Sequence, residues 1–87
     1  MSGWHLEITR DALKTLGKID KPMRRRLQTA IDNLADNPRP NGVVALTSEP
    51  GYLRLRVGDY RVIYRVEDER LVVVVVDLGH RREIYDR

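Results

Sequence analysis

Tyr52-Leu53-Arg54-Leu55-Arg56-Val57-Gly58-Asp59-Tyr60-Arg61-Val62-Ile63-Tyr64-Arg65 is the stretch on which the reading of the fold turns. Leu53, Leu55 and Val57 alternate with Arg54 and Arg56, the period-two pattern of a strand with one buried and one wet face. Gly58-Asp59 supplies a two-residue hairpin turn, and Tyr60 to Glu67 returns as the next strand. Asp68 to Arg70 turns again, into the nearly all-valine run from Leu71 to Leu78. That run lacks alternation, so both of its faces should be covered, which makes it a central strand. Adjacent hairpins must pair antiparallel, so this half of the chain reads as an antiparallel meander.

Upstream, Trp4, Leu6 and Ile8 alternate with His5, Glu7 and Thr9 as a first strand. Thr9 can cap a short helix, with Asp11 at the positive end of its dipole, Ala12, Leu13 and Leu16 on one face and Gly17 at its end. Asp20 is expected to cap a second helix with Pro22 in its first turn. Met23, Leu27, Ala30, Ile31 and Leu34 form its apolar stripe, and Asn37-Pro38 stops it. From Asn37 to Gly42 the chain reads as a turn-rich connection. The expectation is one α+β domain over residues 1–87: an N-terminal strand and an αα-hairpin packed on a mainly antiparallel four-stranded sheet.

At 87 residues the chain has room for one hydrophobic core, built without Phe from Val, Leu, Ile, Ala and a few Tyr. A net charge of +3, an excess of Arg over Lys and a pI near 9.6 fit an anionic partner, and equally fit a well-solvated mixed surface. Without Cys there are no disulfides or thiolate metal sites, and two His far apart argue against structural zinc. A metal-free mechanism without a small-molecule cofactor is therefore expected. The longest apolar run, Leu71 to Val76, is far short of a membrane span, and a cytoplasmic location with no membrane partner is the expectation.

Arg54 and Arg56 should emerge from one strand face about 7 Å apart, roughly the spacing of adjacent phosphates along a nucleic-acid strand. Arg61, just across the hairpin, could place a third guanidinium beside them. Three clustered arginines repel one another unless an anion or several carboxylates sit between them. After the valine strand comes Gly79-His80-Arg81-Arg82-Glu83-Ile84-Tyr85. RNA can be cut by its own 2'-hydroxyl if a base takes that proton, cations stabilise the phosphorane-like transition state and an acid protonates the departing 5'-oxygen. Arginine suits the middle role but stays protonated, which leaves His80 and Tyr85 as candidates for proton transfer. The plainer account has Tyr85 as a core aromatic and His80 and Arg82 as ordinary surface residues; Tyr85 could also stack on a splayed-out base. The run Arg24-Arg25-Arg26 spreads over most of a helical turn and reads as a solvated face.

The stretch from Tyr52 to Arg65, together with Asp77-Leu78-Gly79-His80-Arg81-Arg82-Glu83-Ile84-Tyr85, resembles the RelE/ParE superfamily of toxin-antitoxin toxins along the whole chain. The resemblance implies the RelE-like fold. For a RelE-like member it implies a ribosome-dependent endoribonuclease, an mRNA interferase. Such enzymes cut messenger RNA in the ribosomal A site without a metal, inhibit translation and are neutralised by a cognate antitoxin. The partners implied are therefore that antitoxin, the ribosome with its RNA, and messenger RNA. ParE-like members share the fold, lack the nuclease residues and inhibit DNA gyrase by binding it. Carried over, the resemblance puts Arg61 and Arg81 at phosphate-stabilising positions and Tyr85 at the tyrosine implicated in catalysis or stacking. His80 has counterparts without a fixed role. Arg54, Arg56 and Arg82 are then RNA-phosphate contacts; the first two match positions that are lysines in some nucleases of the family. Arg61, Arg81 and Tyr85 together point to the RelE side.

Overall fold

The computed structural model describes residues 3–47 and 49–80. Along the chain the elements are β1 (His5–Ile8), α1 (Arg10–Gly17), α2 (Lys21–Asn33), β2 (Val44–Ala45), β3 (Tyr52–Val57), β4 (Tyr60–Glu67) and β5 (Val72–His80). The β3–β4 hairpin closes as its sequence requires. Gly58 takes φ +60°, and a positive φ at the first central position alone is the arrangement of a type II′ turn. Val57 then faces Tyr60, Arg56 faces Arg61 and Leu55 faces Val62.

The sheet has five strands in the order β1-β5-β4-β3-β2, one more than the sequence suggested. The extra strand is Val44–Ala45, paired with Arg54 and Leu53; two residues are too few to carry a periodic signal, so the stretch reads as part of a connection. β1 lies parallel to β5, its other neighbours in the sheet running antiparallel. Two helices and three further strands separate β1 from β5, and a long connection of this kind is what allows a parallel pairing. The valine strand sits between β1 and β4, as its missing alternation predicts.

Both helices cover one face of the sheet. Ala12 and Leu16 from α1 and Leu27 and Ile31 from α2 pack with Leu34, Val62, Tyr64, Val73, Val75 and Leu78 in the main core. Leu13 departs from expectation: it is 56% exposed, because a helix this short buries only a narrow stripe, here Ala12 and Leu16. Asp20 occupies the N-cap of α2 with extended backbone, yet its side chain makes no capping hydrogen bond. The helix stops at Asn33, ahead of Asn37-Pro38, and residues 34–36 continue it only as turn.

On the face away from the helices, Val72 and Val74 are nonetheless 5% exposed. Their cross-strand neighbours there are Glu67 and Arg65 on β4 and His5 and Glu7 on β1, long side chains whose stems can shield apolar surface. Glu67 ties this cover together, accepting from Arg65 at 3.0 Å and Arg70 at 2.6 Å. Arg65 first and Arg70 second hold the Glu67 carboxyl below its ordinary range. A lowered folded-state value means that its contribution is present at neutral pH and is lost as pH falls through that value.

One residue of β5 breaks the ladder. Tyr64 faces Val75 while Ile63 faces Asp77, so Val76 is an extra residue, a β-bulge. Thr9 holds it: its hydroxyl donates to the Val76 carbonyl at 3.2 Å, and its backbone N–H donates to the Val75 carbonyl at 3.0 Å. The same hydroxyl oxygen accepts from the Ala12 amide at 3.3 Å, the N-cap of α1 expected from sequence. Thr9→Val keeps the shape and removes both side-chain bonds. It is expected to lower stability by about 1–2 kcal/mol, read as a shift in the urea midpoint at constant slope.

Strain is stored in the turn before β5, where Leu71 adopts φ +53° with half its surface exposed. A left-handed conformation disfavours a side chain with a Cβ and suits glycine. Leu71→Gly is expected to raise stability by up to about 1 kcal/mol; a fall in the thermal midpoint would show the turn to be unstrained.

A candidate phosphate-binding face

The sheet face opposite the helices carries the arginines. Arg54 and Arg56 project from β3 on the side away from Leu53, Leu55 and Val57, which pack on the main core. Arg61 stands directly across from Arg56. A two-residue turn is closed by the hydrogen-bonded pair Val57–Tyr60, so Arg56–Arg61 is the non-hydrogen-bonded kind, whose Cα atoms approach to about 4.5 Å. Two guanidinium-bearing residues thus share one cross-strand position, a placement suited to holding an anion between them. Arg56 is anchored by its Nε donating to the Gly58 carbonyl at 3.3 Å. Arg54 and Arg61 are half-buried.

On β5 the residue facing Arg61 is Gly79. With no side chain there, the sheet beside Arg61 has a bare floor. The next row away from the hairpin runs Arg54, Ile63, Asp77. Beyond it Leu46, Ile63, Tyr52 and Val76 form a second, smaller apolar cluster. A cavity of about 300 Å³ opens there, and Asp11, Glu49 and Asp77 contribute its carboxylates.

The structure therefore brings together Arg54, Arg56 and Arg61. It does not bring His80 to them. His80 faces Tyr60, with ring centroids 5.5 Å apart in an edge-on arrangement. Both line an open cleft with Met23 and Arg26 of α2, on the helix-covered side. The bulge is the reason. Strict alternation outward from Val73 and Val75 would turn His80 to the arginine face and Asp77 into the core; the additional Val76 inverts everything after it. The place of Asp77 on this face is hidden in the sequence, since a bulge leaves no mark in a run of identical valines. Arg81, Arg82 and Tyr85 lie outside the described residues.

The basic run on α2 behaves as its helical spacing implies, each arginine taking a different direction. Arg24 donates to the Gly17 carbonyl at 3.3 Å, Arg25 is exposed, and the Arg26 guanidinium lies 3.4 Å from where a Cβ on Gly58 would stand.

A helical hairpin covering one face of a five-stranded mixed sheet, with arginines clustered on the other, is the build of a RelE/ParE-type toxin. The chain belongs to the ParE toxin family, described as the ParE toxin of the type II toxin-antitoxin system parDE, whose sequence model matches residues 6–85. Relatives carry both family names. The mRNA interferase toxin RelE of Escherichia coli strain K12 is 29% identical over 85 residues, covering 94% of this chain and 90% of its own. Toxin ParE1 of Mycobacterium tuberculosis is 35% identical over 82 residues, covering 92% and 83%. Among solved structures, the archaeal RelE–RelB complex from Pyrococcus horikoshii matches with a TM-score of 0.82 at 29% identity, over 97% of this chain and all of that one. The intact E. coli RelBE toxin-antitoxin complex matches with a TM-score of 0.78 at 26% identity, over 90% and 96%.

Proposed function

We propose that this protein is the toxin of a type II toxin-antitoxin pair and acts as an endoribonuclease on messenger RNA at the ribosome, held inactive by a cognate antitoxin. The observation that carries the reading is the cross-strand pair Arg56 and Arg61 with Arg54 beside it. Such a cluster is suited to the charge that builds on a phosphodiester as it passes through a five-coordinate transition state. Arg61 takes the stabilising role, and Arg54 and Arg56 hold the flanking phosphates. Arg81 and Arg82 follow His80 directly in sequence. In this scheme Arg81 acts on the scissile phosphate and Arg82 on its neighbour. Tyr85 transfers a proton or stacks on a base. His80, turned toward Tyr60, is the weaker candidate for that transfer. No step of this scheme calls for a metal ion, since the 2'-hydroxyl is the nucleophile and arginines supply the positive charge.

The test is addition of the protein to a cell-free translation reaction, with primer extension to locate cuts. Cuts within translated codons that vanish when ribosomes are omitted support the proposal; intact messages with normal translation would sink it. The match to the ParE toxin family and to toxin ParE1 favours a second reading, inhibition of DNA gyrase by protein binding. That reading predicts uninterrupted translation in the extract and stalled replication on expression in cells.

A further inference from the structure

The two helices carry more than the net charge of the whole chain. Residues 10–33 contain seven Arg or Lys against three Asp, a net +4, while the remainder has nine cations against ten anions. Along α1 and its C-cap, Arg10, Lys14 and Lys18 recur every four residues, and Lys21 and Arg25 repeat that spacing on α2. Four residues advance a helix by about 6 Å and return nearly to the same side, so each set forms a stripe. Both stripes lie on the side away from the sheet, where α1 does not bury Ala12 and Leu16 and α2 does not bury Leu27 and Ile31. All five cations are exposed.

A well-solvated mixed surface sets carboxylates among its cations. Elsewhere in the molecule that is the arrangement: Arg39 is held by Asp68, and Arg65 and Arg70 by Glu67. Among the described residues, none of the five helix cations joins an ion pair or a side-chain hydrogen bond. The three carboxylates of the helices are placed elsewhere. Asp11 lines the cavity that Glu49 and Asp77 share, Asp20 lines the cleft beside Tyr60, and Asp32 accepts from Gln28 at 2.9 Å. Two of the cations also work against their own helices. Arg10 opens α1 and Lys21 opens α2, whose first turn has no acidic residue, and positive charge at a helix N-terminus opposes the dipole. Local choices that run against the fold are expected where function takes precedence over stability.

We propose that this outer face of α1 and α2 docks the protein on the phosphate backbone of ribosomal RNA, a deepening that rests on the nuclease reading above. The step of about 6 Å between successive cations of a stripe is close to the separation of successive phosphates along a nucleic-acid strand. Contacts of this kind fix position and orientation and carry no sequence information, which suits a surface that must hold the ribosome whatever message it carries. The sheet divides the two tasks. The helices hold the ribosome on one side, and Arg54, Arg56 and Arg61 act on the message from the other.

The experiment is cosedimentation of the full chain with programmed ribosomes over a range of KCl concentrations, beside single-turnover cleavage at saturating protein. Wild-type affinity is expected to fall steeply with salt as counterions return to the phosphates. Lys14→Gln with Arg25→Gln removes one cation from each stripe. It should weaken binding about 20-fold at roughly 0.1 M KCl and make the log–log salt slope shallower by about 1.4, two phosphate contacts at about 0.7 each. The cleavage rate at saturation should stay within about threefold of wild type, because the reacting face is untouched. Lys14→Arg with Arg25→Lys exchanges the cations without losing charge and should bind within about threefold of wild type. Arg39→Gln with Arg70→Gln removes the same charge from cations already paired, and should also stay within about threefold. Wild-type binding indifferent to salt overturns the inference without any variant having to fold. So does Lys14→Gln with Arg25→Gln binding within about threefold of wild type or keeping its salt slope, or an equal loss in Arg39→Gln with Arg70→Gln. Retained ribosome binding with weakened binding of the cognate antitoxin would give the face to an acidic protein instead. Wild-type protein that leaves messages uncut sinks the nuclease reading, while the cosedimentation and its salt slope still decide the docking face.

Discussion

Arg61→Ala is expected to slow messenger-RNA cleavage on programmed ribosomes by about 100- to 1,000-fold, the usual consequence of deleting one preorganised donor to a developing oxyanion. Folded stability should move by no more than about 0.5 kcal/mol. The two halves of that statement come from one geometric fact. Arg61 stands opposite Arg56 on the sheet face that the helices leave uncovered, so its removal opens no cavity in the main core. Arg61→Lys separates charge from shape: it keeps the positive charge but loses the planar fork, and should recover only part of the rate. Single-turnover rates beside thermal melts of the same preparations check both halves. A variant that melts early and cleaves slowly would mean that Arg61 supports the fold. One that cleaves at the wild-type rate would remove it from the reaction.

The parts of the fold legible from sequence are those whose pattern repeats. Tyr52–Val57 and Tyr60–Glu67 were placed to the residue, because alternation and a Gly-Asp turn fix both limits. The capping role of Thr9 was visible for a similar reason, a hydroxyl just ahead of an apolar run. What escaped was whatever depends on a partner distant in the chain. β2 exists only because β3 offers it an edge, and Asp20 at the start of α2 carries the right side chain without making the bond. The largest gap concerns the site itself. Three of its arginines follow from strand parity, since Arg54, Arg56 and Arg61 are fixed by the hairpin. The parity of β5 is set by a single extra valine in the run Val72-Val73-Val74-Val75-Val76, where identical side chains hide the break. His80 and Asp77 exchange faces as a result, so which of them shares a face with Arg61 is hidden in the sequence.

Tyr64→Ala is expected to cost about 3–5 kcal/mol, a large part of the 5–15 kcal/mol that holds a domain together. Tyr64 is fully buried in the main core, and its hydroxyl donates at 2.7 Å to the carbonyl of Pro38. That bond fastens the connection after α2 to β4. Just beyond it Arg39 closes a two-pronged contact with Asp68, at 3.1 and 2.9 Å, at the far end of the same strand. Tyr64→Phe removes the hydroxyl and keeps the ring. It leaves the Pro38 carbonyl without this donor and should cost about 1–3 kcal/mol. The pH dependence separates the two parts further. Burial pushes the Tyr64 phenol up to about 12, against a smaller downward pull from Arg39. Between roughly pH 10, where an unfolded tyrosine ionises, and that raised value, the folded state binds more protons than the unfolded one. Stability is therefore fully present below about pH 10 and declines as pH climbs through the folded value, by on the order of 2–3 kcal/mol in all. Tyr64→Phe has no proton to lose at this position, so its disadvantage against wild type should shrink between pH 9 and pH 11.5. Urea midpoints measured across that range decide the matter. Parallel decline of the two proteins would place the alkaline sensitivity elsewhere, and convergence would assign it to the phenol that holds the α2–β2 connection to the strand carrying Arg61.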